Sequence, residues 1–342
     1  MLQPLRASFR TDLPAVPALP VRVGARTGPR GRLLRLLMGI APAEATFARR
    51  GFTSADPAVR ARLERVGFTF LDGYHAALEA EDGHDLARRL DAAAPVVRGF
   101  AFEGAAMALA LLDLLTPWRR DRIAAFLRGP AAPHAYLVHV GAGWALARLR
   151  RPFRDVRPGM DPLLGWLVAD GYGFHEGYFH PRRFADGCAV PGRLSGYALR
   201  AFDQGLGRSL WFIHGADPVR IAKAIARFPV PRREGLWSGA GLACAYAGGA
   251  LGDEAKELAA AAGADRAALA QGAAFAAEAR RRAGNPAAHT DRACRILCGL
   301  SAERAAAVTA AARDGLAPRG TLPAYGVWRM RIQDHFASRG YA

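Results

Sequence analysis

The chain repeats itself. Gly67-Phe-Thr-Phe-Leu-Asp-Gly-Tyr74 reads against Gly165-Trp-Leu-Val-Ala-Asp-Gly-Tyr172, 98 positions later, keeping a glycine, an aromatic and the whole Asp-Gly-Tyr. The same spacing relates Arg122-Ile-Ala124 to Arg220-Ile-Ala222, Pro133 to Pro231 and Gly141-Ala-Gly143 to Gly239-Ala-Gly241. Glu103-Gly104 pairs with Gln204-Gly205 at 101, so the second copy gains three residues and later loses them. A weaker third echo, Gln271 to Ala276, is similar to Glu103 to Ala108. Matches held at one offset confine the chain to units that stack, each burying a face on the next.

Those units read as helices. Asp56-Pro57, Thr116-Pro117, Asp161-Pro162 and Asp217-Pro218 each set a capping side chain before a proline suited to the first helical turn. Ala/Leu-rich stretches with a three-to-four residue period follow, and β-branched alternation is scarce. The expected fold is all-α, with duplicated helical units forming an α/α superhelix or a toroid-like repeat domain. Residues 1–34 form a basic Pro/Gly-rich arm, 35–157 a first unit, 158–255 a second, and 256–342 C-terminal helices carrying the third echo. Residues 150–159 link the units. Gly31 to Ile40 is a short basic amphipathic turn or helix, read as docked on the body by its leucines in preference to a membrane-surface anchor. The Gly-x-Gly pairs at 141/143, 205/207 and 239/241 mark close helix approach, since no strand or Lys-Ser/Thr pair accompanies them as in a phosphate loop.

A net charge of +17 suggests a nucleic-acid footprint. The charge is nearly all arginine, dispersed beside acids in an Ala/Gly-rich chain, so no nucleic acid is expected as a partner. Cys188, Cys244, Cys294 and Cys298 form neither a CxxC nor a disulfide framework. The most apolar run, Gly104 to Leu115, is shorter than the ~20 residues a bilayer needs. With no secretory signal visible, a cytoplasmic protein without a membrane span is expected.

The polar chemistry gathers in Asp170-Gly-Tyr-Gly-Phe-His-Glu-Gly-Tyr-Phe-His180. Metal ligation fits the residue types, but His175 and His180 lie five apart and Gly173 and Gly177 disfavour a straight helix, so no metal is expected. A polar pocket fits better. Asp170, His175, Glu176, Asp203, Arg208 and Glu103 are the acid/base candidates, because a carboxyl in an apolar cavity is pushed toward neutral pH. Glu103 also reads as a helix-start carboxylate, the commoner role for a lone acid beside such a run. Tyr74, Tyr172, Tyr178, Gln204, Trp237, His139 and Gln271 are the candidates for binding substrate. No Ser-His-Asp, nucleotide or haem signature occurs, and no cofactor is expected.

Seven stretches carry a resemblance: Ala45–Phe52, Phe70–Tyr74, Arg98–Met107, His139–Ala145, Asp170–Tyr178, Arg200–Ser209 and Leu236–Gly241. Together they resemble the UnbL-type family, bacterial proteins of unknown function often labelled enediyne biosynthesis proteins, over residues 35 to 336. The resemblance implies an accessory role in polyketide secondary metabolism, that of antibiotic biosynthesis, beside the synthase that makes a linear polyene. It supplies no catalytic residues. On this view the chain is a maturation enzyme that takes an apolar polyene-type small molecule through acid/base elimination or cyclisation, as a lyase or cyclase. The alternative is a non-catalytic chaperone or scaffold for the polyene or for partner enzymes.

Overall fold

The computed structural model describes residues 27–116, 118–153, 160–250 and 252–338. Among these the regular structure is helical, with no strand and one isolated bridge between Arg319 and Leu322. The first 26 residues of the expected arm, and residues 154–159 of the expected link, lie outside the described residues. α1 (Pro29–Met38) leads through a 3-10 turn to α2 (Phe47–Arg50). Then follow α3 (Pro57–Glu79), α4 (Gly83–Asp91), α5 (Pro95–Leu115), α6 (Arg122–Arg128) and α7 (Ala135–Arg148). The chain continues with α8 (Leu167–Phe179), α9 (Tyr197–Ile213), α10 (Pro218–Ala226) and α11 (Val230–Ala247). It ends with α12 (Glu254–Ala262), α13 (Arg266–Arg282), α14 (Ala288–Leu297), α15 (Ala302–Ala311) and α16 (Ala324–Ala337).

Side-chain caps set several helix starts. Asp56 accepts from Ala58 N at 2.7 Å to open α3, and Asp217 accepts from Arg220 N at 3.0 Å to open α10. Asp161 holds Leu163 N and Leu164 N at 2.8 and 2.7 Å, which starts a 3-10 turn before α8. Thr116 does the opposite of what its proline suggests. It ends α5, donating to Leu112 O, and the next helix starts at Arg122.

Glycine sets the spacing of the core. α3, α5, α7, α8, α9, α11 and α13 pack each against the next in that order. At the α3/α5 crossing, a Cβ on Gly73 would overlap Ala101 O and one on Gly104 would overlap Phe70 O. Gly143 and Gly171 meet in the same way between α7 and α8, Gly173 and Gly205 between α8 and α9, and Gly207 and Gly239 between α9 and α11. Gly241 and Gly272 complete the series between α11 and α13. Backbones this close leave no room for any side chain, which explains why glycines that weaken an isolated helix by ~1 kcal/mol are tolerated.

The crossings also correct the repeat register. Gly73 meets α5 as Gly173 meets α9, an offset of 100, so its structural counterpart is not the Gly171 of the matching Asp-Gly-Tyr. Gly171 instead meets α7 at Val140 O, as Gly272 meets α11 at Ser238 O. Gln271-Gly272 therefore repeats Asp170-Gly171 rather than Glu103-Gly104.

The last inner helix returns to the first. Arg280 on α13 donates to Val96 O of α5 at 3.0 Å, and Asn285 donates to Pro95 O at 3.2 Å. Arg62 on α3 donates to Ala247 O at 2.9 Å. The helices so joined enclose an interior in which α5, twenty-one residues long, is largely buried. α5 is longer than the apolar run within it and is long and apolar enough to cross a membrane, but it serves here as a core helix. The segment from Met38 to Phe47 straps over one end of the interior. Tyr74 donates to Met38 O at 2.8 Å, Ile40 N to His75 Nε2 at 3.1 Å, and Phe47 N to Glu64 Oε1 at 2.8 Å.

Candidate functional site

On five of the core helices, a buried polar residue stands just before a glycine at a helix crossing. These positions hold Glu103 on α5, Asp170 on α8, Gln204 on α9, Ser238 on α11 and Gln271 on α13. One turn further along α9 comes Arg208. All six are buried.

They meet as one connected polar layer. Arg208 Nη1 donates to Asp170 Oδ1 at very close range, and Arg208 Nη2 lies 3.7 Å from Glu103 Oε1. Trp144 Nε1 donates to Glu103 Oε1 at 3.2 Å. Gln204 Nε2 donates to Asp170 Oδ2 at 2.8 Å and reaches Tyr325 OH at 3.4 Å. Ser238 donates to Gln271 Oε1 at 2.8 Å, and that oxygen also accepts from Arg329 Nε at 3.1 Å. Arg329 carries the layer to Tyr197 and, at 3.7 Å, to the part-exposed Glu234. One arginine serves two carboxylates, the arrangement that makes burial of all three tolerable.

Two small cavities flank Arg208. One, about 50 Å³, lies under the strap and is lined by Phe70, Phe100, Met107, Trp144, Phe174 and Tyr178, with Glu103 in its wall. The other, about 30 Å³, lies on the Asp170 side among Tyr136, Val140, Tyr246 and Phe275. Each has room for a few waters and is otherwise apolar. Phe174 also stacks beneath the guanidinium, whose carbon is 4.9 Å from the ring centre.

Glu103 is the group this environment perturbs most usefully. Burial raises its carboxyl to about 7; nearby Asp170 adds to the rise, while Arg208 and the Trp144 hydrogen bond oppose it. Its Oε2 is buried without a hydrogen-bond partner. A carboxyl with one oxygen held and the other free, poised near neutrality beside an apolar cavity, can give or take a proton there. Burial works against the Arg208 cation, but Asp170 and Glu103 outweigh it and hold the group above its ordinary value. The reading of Glu103 as a helix-start carboxylate fails because α5 begins two turns earlier, at Pro95.

The structure separates the other expected acid/base residues from this layer. α8 runs unbroken through Gly173 and Gly177, since both glycines are crossing points for α9, and this aims His175 and Glu176 away from Asp170. His175 Nδ1 lies 3.4 Å from Glu176 Oε1, its ring edge-on to Trp144 and against Phe179, and burial lowers its pKa. Asp203 points outward from α9 to Arg232, which grips it through Nε at 3.0 Å and Nη2 at 2.6 Å. Burial raises the Asp203 carboxyl, and the Arg232 pair opposes the rise.

The binding candidates scatter too. Tyr178 reaches the strap at Glu44 O, 3.5 Å away, and lines the Glu103 cavity. Tyr74 anchors the strap through Met38 O. His139 is structural: its Nδ1 meets Ala135 O at 2.6 Å and its Nε2 accepts from Asp161 N at 3.2 Å. Tyr172 packs on Phe202, and Trp237 is buried on α11. Trp144, Ser238, Tyr325 and Arg329 belong to the site without having been expected there. Ser238 and Trp144 could have been found from their register with the crossing glycines, whereas Arg329 comes from α16, outside the repeat. Among the described residues, no group of three His, Cys, Asp or Glu is arranged to hold a metal.

Fold and site define an all-helical repeat protein with a buried, arginine-clamped carboxylate layer at its centre. The chain belongs to DUF1702, a family of proteins of unknown function, whose family model matches residues 30–336. No curated protein and no solved structure matches it.

Proposed function

We propose that this protein is an accessory enzyme of enediyne-type polyketide biosynthesis, in which the Glu103 carboxyl moves a proton on an apolar, polyene-derived substrate. The observation that carries the chemistry is the free Oε2 of Glu103 beside an aromatic-lined cavity, with the other oxygen held by Trp144 and near Arg208. The pathway rests on the resemblance of the repeat motifs to the UnbL-type proteins. Arg208 and Asp170 act as positioning residues: the guanidinium fixes Glu103 and stabilises its charged form after a proton has left. At neutral pH the carboxyl is divided between its two forms, so it can protonate a double bond or take a proton adjacent to a polyene during elimination or cyclisation. The cavity is far smaller than the ~300–1,000 Å³ of ordinary ligand sites, so the strap from Met38 to Phe47 lifts to admit substrate.

The test is Glu103→Gln, expressed in a producing strain that lacks the native gene, with metabolites followed by mass spectrometry. The variant folds and the strain accumulates the unprocessed intermediate. Product at the wild-type level would remove Glu103 from the chemistry.

The small cavity volume favours a second reading, a non-catalytic chaperone or scaffold that holds the polyene or partner enzymes outside the closed interior. In that case Glu103→Gln complements fully, while disruption of the outer binding face abolishes product.

A further inference from the structure

α1 is amphipathic in an unusual sense, because its more apolar face looks outward. Leu34 and Met38 pack on the core and Gly31 lies on the Glu79 backbone, yet Leu36 is 81% and Leu37 71% exposed, with Leu33 beside them. Trp118, at the tip of the turn after α5, is 82% exposed and is preceded by the half-exposed Leu115. α1 and this turn border one groove, with Arg30 and Leu34 on one side and Arg119 and Arg122 on the other. The exposed leucines thus stand on α1 beside Arg30 and Arg32 at one side of this groove, and Trp118 stands beside Arg119 and Arg120 at the other.

Of the acids along this groove, Glu81 stands exposed and the others are engaged. Glu79 is shared by Arg35 at 3.4 Å and Arg89 at 3.6 Å, Asp82 caps α4, and Asp121 lies 3.7 Å from Arg119. The sequence before α1 adds Arg6, Arg10, Arg22 and Arg26 against the single acid Asp12. Exposed leucines with an indole at the rim and arginines around them match the boundary between headgroups and acyl chains. There the leucines enter the apolar side, the indole sits at the interface and the arginines meet anionic headgroups.

We infer that α1 and the Trp118 turn form a docking face for an anionic lipid surface. The inference does not depend on the proton chemistry assigned to Glu103. It adds one structural consequence: α1 runs directly into the strap, so a docked protein holds the cover of the Glu103 cavity against the membrane. An apolar substrate dissolved in lipid would then reach the cavity without crossing water.

The experiment is co-sedimentation of the full chain with phosphatidylcholine vesicles, with and without phosphatidylglycerol, at low and high salt. Binding is expected on the anionic vesicles, weaker by tenfold or more on neutral ones and in high salt. Leu36→Glu with Leu37→Glu, and separately Trp118→Ala, should each reduce that binding tenfold or more. All three sites are exposed, so thermal melts should stay unchanged and show that the variants fold. Absence of anionic-vesicle binding overturns the inference. So does binding undiminished in the leucine variant, which would mean attraction by diffuse charge alone. A concentration-dependent dimer that the leucine variant abolishes, without vesicle binding, would assign the face to a second copy of the chain.

Discussion

Replacing Glu103 by glutamine should change stability in a way that depends on pH. In the folded chain burial lifts the carboxyl to about 7, whereas the unfolded chain titrates near the ordinary value of 4.5. The folded state therefore binds a proton that the unfolded state releases between these values, and stability falls as pH rises through that window. A shift of this size corresponds to something on the order of 3 kcal/mol, at 1.36 kcal/mol per pH unit. The burden is absent below about pH 4.5 and fully developed above about pH 7. Glutamine keeps the size and the acceptor oxygen for Trp144 but cannot ionise, so the variant lacks this pH dependence. The attraction of Arg208 for the charged form is already contained in the value of about 7 and adds nothing further to this pH dependence.

The assay is urea unfolding of both proteins from pH 4.5 to 8.5, taking the difference in unfolding free energy at each pH. Every other titrating group cancels in that difference unless it touches Glu103. Relative to wild type, the variant should gain stability from low to high pH, by up to about 3 kcal/mol. A difference that is flat with pH, or that falls as pH rises, would refute the argument. It would mean that Glu103 is charged throughout, held by Arg208 more strongly than burial opposes it. The role of Glu103 as a proton donor would fall with it, since a carboxylate ionised at all working pH has no proton to give, and only the base role would stand.

Arg208→Met removes the cation shared by two buried carboxylates and should destabilise by ~3–5 kcal/mol, measured by chemical denaturation. Combining Arg208→Met with Asp170→Asn and Glu103→Gln should recover most of that loss while leaving the protein without activity. Gly205→Ala places a methyl on the Asp170 carbonyl and should lower stability by at least ~1–3 kcal/mol in thermal melts, whereas Gly83→Ala, which meets no atom, should not. Burial holds the His75 ring at about 4, so its acceptor role for Ile40 N is complete above pH 6.5 and fades as pH falls toward 4. Hydrogen exchange at Ile40 should accelerate over that range beyond its intrinsic pH dependence, and His75→Phe should remove the excess. Asp203→Asn should loosen the Arg232 contact, seen as modest destabilisation, yet leave product formation intact.

Much of the architecture was legible because repetition and helix caps are local signals. The duplication pointed to stacked units, and the Gly-x-Gly pairs pointed to close crossings. What misled was the Asp-Gly-Tyr match, which is strong as letters but two positions out of register with the packing. A sequence match weighs identity, whereas a crossing weighs only whether a side chain is absent, so Leu71 and Gly73 answer to Gly171 and Gly173. The same limit explains the site. Asp170, Gln204, Arg208, Glu103 and Gln271 could all be named, yet His175, Glu176 and Asp203 look equally polar in sequence. Their exclusion depends on which face of α8 and α9 turns inward, and that is fixed only by the crossing glycines. Arg329 arrives from an unrelated helix and leaves no local trace.

The register corrected in this way sets the polar layer against its counterpart in the other repeat. Where α8 has Asp170, the packing places Phe70 on α3, and where α9 has Arg208 it places Met107 on α5. Both apolar residues are well buried and line the Glu103 cavity. The fold thus fills the same interior rows with ordinary apolar side chains in one repeat and with an ion pair in the other. Burying ions instead of apolar side chains of similar volume is neutral at best for stability, and often unfavourable by 1–4 kcal/mol. Stability alone gives no reason to hold Asp170, Arg208 and Glu103 at the centre of the molecule. The three groups are also not spread around the interior: they converge on one point, leaving a single carboxyl oxygen free at the wall of a cavity that the strap covers. That asymmetry, laid on a scaffold that manages without it elsewhere, supports the role proposed for Glu103.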